Sequence, residues 1–324
     1  ANQAFSKFVR RNYFDWINRR DDLTPVMSHT LMRSRILPVA DENSKTTLLL
    51  IDNFRYDQWR SINPLLRGYY DVAVDDFYCA ILPTATQYAR NAIFAGLMPL
   101  AIDRLMPERW LNDNEEGGKN QYEEEFLRRQ LQSNGKNYRW TFDKLVDNIQ
   151  RIYDADFSVI VYNFLDILSH ARTETDIIRE LTEDEASFRS LTRSWFEHSD
   201  LFTLLRLLSK RGHTVIITSD HGTIRVDNPI RVTGDRETSA NLRYKTGRNL
   251  SYNPREVYEI TRPEDIQLPR INLSSSYIFA YNTDFLVYNN DANRFIRYYK
   301  NTFQHGGISM EEMIVPYIVL KPKQ

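Results

Sequence analysis

The chain has 324 residues, enough for one large α/β domain or for two domains. Its formal net charge is −1, so no overall field draws it to nucleic acid or to a membrane, and any nucleic-acid contact must use a local basic patch. The single cysteine, Cys79, excludes an intramolecular disulfide, and no apolar run reaches the roughly 18–20 residues that span a bilayer.

The first part of the chain, residues 1–43, is predicted to be helical. Apolar side chains recur at three- and four-residue intervals from Phe5 to Ile17, which indicates one helical face. The chain starts with this polar, amphipathic stretch rather than with a signal peptide, so we expect a cytoplasmic protein. We interpret residues 1–43 as a helical connector to an N-terminal domain outside this sequence. The alternative is that these helices pack on the main sheet.

From Thr46 onward, apolar runs typical of strands alternate with helical patterns. Strands are predicted at 46–51, 71–74, 157–163, 213–218, 274–280, 284–288 and 312–319. Helices are predicted at 86–95, 121–132, 177–194 and 200–211. This alternation predicts a three-layer α/β/α domain over residues 44–324 with a mostly parallel central sheet. We interpret the segment from about 97 to 150 as an insertion over that sheet.

Acidic and imidazole side chains stand at the ends of several strand-like runs. They are Asp52, Asp166, His170, Asp220, His221 and His305. Ligands of open α/β sheets bind beyond the carboxyl ends of the strands. Mixed carboxylate and imidazole donors suit zinc, and manganese is also possible. The pattern therefore predicts a hydrolytic two-metal centre.

Other histidines and acids are predicted to have no part in that site. The histidines His29, His198 and His213 lack acidic companions at ligand spacing, so we interpret them as structural. The run Glu123-Glu124-Glu125 is predicted to be a solvated helix face.

Two hydroxyl groups, those of Thr84 and Thr86, stand where the helix at 86–95 begins. A hydroxyl at a helix N-terminus next to a metal can become an alkoxide, because both the helix and the metal favour the anion. A threonine before a helix is usually only an N-cap. The residues alone leave both threonines open as the nucleophile.

The order acid, threonine, Asp-x-x-x-His, Asp-His, His resembles the alkaline phosphatase superfamily from Thr46 to Pro316. Phosphodiesterases of that superfamily carry Pro-[Ser/Thr]-x-Thr, and this alignment selects Thr86 as the nucleophile. The tail that begins at His305-Gly306-Gly307 and the segment Asn241-Leu242-Arg243-Tyr244-Lys245 resemble the PglZ-type domain. The helical start resembles the effector part of PorX-type response regulators, in which a receiver domain precedes a PglZ domain.

The resemblance implies two zinc sites and a threonine that is phosphorylated during the reaction. One site would consist of Asp166, His170 and His305. The other would consist of Asp52, Asp220 and His221, with Thr86 bridging towards the metals. The family's phosphate-holding asparagine, three residues after the threonine, is Ala89 here. The residues that could hold the substrate phosphate instead are Arg90, Arg243 and Lys245.

The implied function is a zinc-dependent phosphodiesterase that acts on short or cyclic oligonucleotides and regulates type IX secretion. The resemblance also implies a homodimer when the receiver domain is active, a possible transcription or secretion-system protein partner, and no membrane contact. A phosphomonoesterase or mutase acting on a small metabolite is the enzymatic alternative. A zinc-stabilised interaction module with little turnover is the alternative from another class.

Overall fold

The computed structural model describes residues 1–324 except 20–23, 136, 145–148, 164, 167, 169–183, 236–238, 273 and 324. Within the described part of the chain, no helix is long and apolar enough to cross a membrane.

The N-terminal helices pack against the rest of the chain. They are α1 (Asn2–Asn18), α2 (Ser28–Leu31), a π-helical turn at Met32–Ile36 and α3 (Leu37–Glu42). Val9 and Tyr13 of α1 are fully buried. The Tyr13 hydroxyl oxygen accepts a hydrogen bond from the Leu82 backbone N–H at 2.7 Å, just before the predicted nucleophile segment. These contacts match the alternative in which the helices pack on the main domain, and a connection to an upstream domain stays a prediction.

Six strands form the central sheet, in the order β2-β13-β5-β1-β4-β3. They are β1 (Thr46–Ile51), β2 (Tyr70–Cys79), β3 (Trp140–Asp143), β4 (Phe157–Tyr162), β5 (Thr214–Thr218) and β13 (Ile314–Pro322). β1 pairs in parallel with β4 and β5, and β3 pairs in parallel with β4. β13 runs antiparallel between β2 and β5. The prediction of a mostly parallel α/β sheet is confirmed.

Helices cover both faces of this sheet. They are α4 (Tyr56–Leu66), α5 (Thr86–Ala95), α6 (Pro99–Leu105), a 3-10 turn at Pro107–Arg109, α7 (Glu123–Ser133), α8 (Ile149–Asp154), α9 (Glu185–Glu197) and α10 (Asp200–Lys210). Because side chains alternate across a strand, β1 contributes to two separate cores. Leu48 and Leu50 join the core of α1, α5 and α7, whereas Leu49 and Ile51 join that of α4, α9 and α10. The fold has three layers, as predicted.

The segment 97–150 contributes one strand to the central sheet, β3, which forms an edge of that sheet. Its origin as an insertion stays a prediction. Helix α7 packs on α5, where Gln130 Nε2 donates to the backbone oxygens of Ile93 and Phe94 at 2.8 and 2.7 Å. The helix predicted at 177–194 lies partly outside the described residues, and its described part belongs to α9.

A second region of short strands follows β5. It contains β6 (Ile224–Arg225), β7 (Asn228–Val232), β8 (Tyr244–Gly247), β9 (Val257–Ile260), a 3-10 turn at Pro263–Ile266, β10 (Ser276–Ala280), β11 (Asp284–Tyr288), α11 (Ala292–Tyr299), β12 (Phe303–Gln304) and α12 (Met310–Met313). These strands form three small sheets, β8-β10-β9, β11-β7 and β12-β6. The strands predicted at 274–280 and 284–288 therefore exist but lie outside the central sheet.

Candidate active site

The topology of the central sheet brings the predicted residues to one edge. β5, β1 and β4 are parallel neighbours, so their carboxyl ends deliver Asp220-His221, Asp52 and Asp166 side by side. β13 is antiparallel to β5, so its amino-terminal end, which His305 precedes in the chain, lies at the same edge. β2 ends there too and leads through the Leu82-Pro83 turn to Thr86.

Asp52, Asp220 and His221 form a buried cluster. One ligand atom from each lies within 4.8 Å of the others. His221 Nε2 is 3.7 Å from Asp52 Oδ1 and 3.8 Å from Asp220 Oδ2. These are the three residues predicted for one of the metal sites, and their donor atoms face one point.

Hydrogen bonds fix which oxygen of each carboxylate faces that point. Asp52 Oδ2 accepts from Arg90 Nη1 at 2.7 Å, which leaves Oδ1 on the side of Thr86 and His221. Asp220 Oδ1 accepts from the backbone N–H groups of Asn53 and His221 at 3.3 and 3.0 Å. Asp220 Oδ2 is buried and accepts no hydrogen bond from any described residue. A buried carboxylate oxygen without a donor is costly, and a cation at this point would satisfy it.

Each of the two described histidines of the site is held by a hydrogen bond to a backbone carbonyl oxygen. His221 Nδ1 lies 3.0 Å from the Gly222 backbone oxygen, and His305 Nδ1 lies 3.1 Å from the Thr84 backbone oxygen. A carbonyl oxygen can only accept, so Nδ1 carries a proton in both rings. Nε2 is then the ring nitrogen that is left for a metal, and it lies on the side of the acids.

The pKa values of the buried acids Asp52 and Asp220 are shifted in opposite directions. Burial raises the pKa of Asp52, but the positive charge of Arg90 and the two imidazoles beside it outweigh burial and hold the pKa below its ordinary value. Burial, reinforced by the negative charge of Asp52, raises the pKa of Asp220 well above its ordinary value. The nearest positive charge, Arg90 Nη1 at 4.0 Å from Asp220 Oδ2, does not offset burial and the charge of Asp52, a condition that a divalent cation would correct.

Thr86 is the first residue of α5, and its hydroxyl points into the cluster. Thr86 Oγ1 is 3.1 Å from His221 Nε2 and 3.4 Å from Asp52 Oδ1. Thr84 Oγ1, by contrast, is fully buried, donates to the Gly307 backbone oxygen at 2.9 Å and accepts from the Gly306 N–H at 3.0 Å. Thr84 thus holds the segment after His305 in place, and the geometry favours Thr86 as the reactive hydroxyl.

The other predicted metal site is described only in part. His305 Nε2 is 3.8 Å from Asp166 Oδ1, so the structure brings these two predicted ligands together. His170 lies outside the described residues. The His221 and His305 rings stack with centroids 4.2 Å apart, so the two predicted sites adjoin each other.

Arg90, which was predicted to hold the substrate phosphate, is buried within the site. Besides Asp52, it contacts Asn163 Oδ1 at 3.2 Å and Glu123 Oε1 at 2.5 Å. Glu123 is fully buried and also pairs with Lys144 at 2.8 Å. The prediction that Glu123 belongs to a solvated helix face is therefore wrong, because the ion pairs draw it inward, while Glu124 is exposed and Glu125 is half-buried.

A family comparison agrees with this geometry. The family model described as the BREX system PglZ alkaline phosphatase-like domain matches residues 31–320. The chain belongs to the PglZ family. No curated protein matches its sequence. The family match does not distinguish PorX-type response regulators from other members, so that closeness stays a prediction.

Solved structures resemble this PglZ-family chain in fold. Human ectonucleotide pyrophosphatase/phosphodiesterase 5 matches with 11% identity and a TM-score of 0.51, covering 85% of this chain and 87% of that one. Phosphonoacetate hydrolase from Sinorhizobium meliloti 1021, in complex with phosphonoformate, matches with 13% identity and a TM-score of 0.51, covering 86% and 90%. At such low identity, these similarities show the alkaline phosphatase-like fold.

The other two predicted substrate residues of the PglZ domain have structural contacts. Arg243 is fully buried and forms a two-pronged ion pair with Glu312, at 3.0 Å from Nε and 2.6 Å from Nη2. Lys245 donates to the Ser239 backbone oxygen at 3.0 Å and lies over the Tyr288 ring. Burial lowers the pKa of Lys245 to about 7. Substrate contact by Arg243 and Lys245 stays a prediction.

Two glycines of the PglZ domain allow close backbone contacts beside the ligands. A Cβ atom on Gly222 would stand 2.0 Å from the Glu311 backbone oxygen. A Cβ atom on Gly307 would stand 2.7 Å from the Ala280 backbone oxygen. The turn after His221 therefore requires glycine for space, since Gly222 does not have a positive φ.

Proposed function

We propose that this chain is a metal-dependent phosphodiesterase in which Thr86 is the nucleophile. The observation that carries the proposal is the position of Thr86 Oγ1, at the start of α5 and 3.1 Å from His221 Nε2, inside a cluster of buried metal-type donors. The helix N-terminus favours negative charge on this oxygen and on a phosphate beside it.

The described residues fit a divalent metal ion. Asp52 Oδ1, Asp220 Oδ2 and His221 Nε2 would hold one ion, and Asp166 and His305 would contribute to a second. Oxygen and imidazole donors favour zinc, and manganese is possible. When bound, such an ion polarises a phosphoryl oxygen and lowers the pKa of a hydroxyl group.

The protein's own groups account for the remaining steps. The Thr86 hydroxyl faces His221 Nε2 at 3.1 Å and Asp52 Oδ1 at 3.4 Å, the two groups that orient it towards a bound phosphate. Thr86 Oγ1 would form a bond to phosphorus while the bond from phosphorus to the leaving alcohol breaks, giving a phosphothreonine. Water would then cleave that ester, release a phosphomonoester and restore the hydroxyl of Thr86.

The proposed substrate is a short or cyclic oligonucleotide. A phosphodiester has one negative charge, and Arg90 supplies a fixed positive charge beside Asp52 at the site. We propose that Arg90 is the cation on the substrate side. The contacts of Arg243 support a different role, because Glu312 Oε1 also accepts from the Gly307 N–H at 2.8 Å and so links Arg243 to the segment after His305.

We further propose that the chain is the output domain of a cytoplasmic response regulator that controls type IX secretion and dimerises when its receiver is active. The support is the resemblance of the helical start and of the His305-Gly306-Gly307 tail to PorX-type proteins. A transcription or secretion-system protein would be its partner.

The first experiment measures hydrolysis of bis-p-nitrophenyl phosphate and of p-nitrophenyl phosphate, with metal content determined on the same sample. We expect bound metal, faster turnover of the diester, and loss of turnover in His305→Ala. Faster turnover of the monoester would support the phosphomonoesterase alternative. Bound metal without turnover of either ester would support the interaction module, and absence of bound metal would contradict the site assignment.

A further inference from the structure

Helix α11 precedes a segment that carries a candidate ligand. β12 follows α11, and His305 follows β12 directly. β12 pairs with β6, which comes three residues after His221, so one two-stranded ribbon connects the segments that carry both histidines. Helix α11 is therefore joined through this ribbon to the segments that carry the candidate ligands.

The inner face of α11 is used for packing. Ala292 is buried, and Ile296 and Tyr299 pack against a small core that includes Phe285 and Val287. The apolar side of this amphipathic helix is thus already covered by its own domain.

The outer face of α11 combines cations with aromatic rings. Phe295 and Tyr298 are 40% and 43% exposed, and Arg294 and Arg297 beside them are exposed as well. Lys300 directly after the helix is a further exposed cation. The helix itself contains no acidic residue, and no described acidic residue forms an ion pair with these three cations.

We propose that this outer face, formed by Arg294, Phe295, Arg297 and Tyr298, binds single-stranded nucleic acid and guides it to the candidate active site. The inference rests on the proposed phosphodiesterase function. Exposed rings stack on bases, and arginines beside them neutralise the phosphates, which is the combination that single-stranded nucleic acid requires. This local basic surface provides the attraction to phosphates that the whole chain, with a net charge of −1, does not provide.

An anionic membrane surface fits the helix less well. A helix that lies in a membrane interface segregates its apolar face from its cationic face and inserts the apolar face into lipid. In α11 the half-buried residues Ile296 and Tyr299 pack against the protein's own core, and the exposed rings are interleaved with arginines.

The test is binding of a fluorescein-labelled oligothymidylate of about twelve nucleotides, a length within the range of single-strand sites. Fluorescence anisotropy is measured on metal-loaded Thr86→Ala protein, so that the oligonucleotide is not consumed. In this background, Arg294→Ala/Arg297→Ala should reduce the slope of log K against log salt by about 1.4, since each phosphate contact contributes about 0.7 on single strands. Phe295→Ala/Tyr298→Ala should weaken binding at least about fivefold for each ring.

Helix α1 provides matched controls, because it also exposes cations and rings that lie outside the proposed surface. Lys7→Ala/Arg11→Ala and Phe8→Ala/Phe14→Ala should leave affinity and salt slope as in the parent. Equal losses in the α1 and α11 variants, or no binding by the parent, would overturn the proposal. Binding to phosphatidylserine vesicles in place of the oligonucleotide would also overturn it. Because binding is measured without turnover, a failure of the phosphodiesterase proposal appears separately, as absent diester hydrolysis by the wild-type protein.

Discussion

Arg90 Nη1 lies 2.7 Å from Asp52 Oδ2, so a buried guanidinium holds one oxygen of a predicted metal ligand while the other oxygen faces the nucleophile. Glu123 binds Arg90 from the other side, at 2.5 Å. The two linked ion pairs Glu123–Arg90 and Arg90–Asp52 therefore fix the orientation of the Asp52 carboxylate before any ligand binds.

Removing Arg90 should destabilise the protein strongly. In Arg90→Ala, Asp52 and Glu123 lose a buried counter-charge, and we expect a loss of about 3–5 kcal/mol in the free energy of unfolding. Urea unfolding of the metal-free protein measures this loss, and added zinc should recover part of it, because Asp52 is a proposed zinc ligand. Arg19→Ala removes an exposed pair with Asp15 and should cost less than about 1 kcal/mol. Equal effects of the two substitutions would contradict the role of Arg90.

The turn after His221 should not tolerate a side chain. Gly222→Ala places a carbon 2.0 Å from the Glu311 backbone oxygen, and backbone cannot move aside as a side chain can. We expect a stability loss of about 1–3 kcal/mol and weaker zinc binding in competition with a chromogenic chelator. Gly68→Ala is the control, since no atom lies within 4 Å of its added carbon. Wild-type zinc affinity in Gly222→Ala would show that the turn can rearrange.

Replacing one partner of the buried ion pair between Arg243 and Glu312 should destabilise the protein more than replacing both. Arg243→Met leaves a buried carboxylate and should cost about 3–5 kcal/mol, whereas Arg243→Met/Glu312→Leu should recover much of that loss. Zinc affinity should nevertheless remain reduced in the double variant, because Glu312 also accepts from the Gly307 N–H beside His305. Full recovery of zinc affinity would argue against this link to the site.

His213 should make the fold sensitive to mild acid. Burial, followed by the positive charges of Lys45 and Arg211, lowers its pKa to about 4, and its Nδ1 lies 3.0 Å from Thr47 Oγ1. The unfolded state binds a proton near pH 6.5 and the folded state only near pH 4, so the stability that neutral His213 provides is lost as the pH falls from about 6.5 to 4. His213→Gln should show a smaller decrease in unfolding free energy over that window than the wild type. Parallel pH profiles would contradict the assignment.

The sequence was sufficient to predict the elements around the site, because buried parallel strands are continuous apolar runs and their ends are marked by acids and histidines. It was insufficient for the placement of β13 between β2 and β5, since the same apolar run is compatible with either strand direction. The alternation of helices and strands also could not show that β10 and β11 belong to the small sheets β8-β10-β9 and β11-β7 rather than to the central sheet.

Within the site, local sequence identified the residue types but not their partners. The burial of Glu123 depends on Arg90, which lies far from it in the chain, so an acidic run at the start of a helix appeared solvated. The choice between Thr84 and Thr86 likewise required the contact of Thr84 with Gly306 and Gly307, which no local pattern contains.

The central claim is that the Thr86 hydroxyl attacks phosphorus, and hydrolysis of bis-p-nitrophenyl phosphate by Thr86→Ala and Thr86→Ser tests it most directly. Metal content and thermal unfolding of each variant are measured on the same samples. We predict that Thr86→Ala folds and binds metal but loses at least about a thousandfold in kcat, whereas Thr86→Ser, which retains a hydroxyl, keeps measurable turnover. Turnover by metal-loaded Thr86→Ala within about tenfold of the wild type would contradict the account, because the reaction would then proceed without the proposed nucleophile.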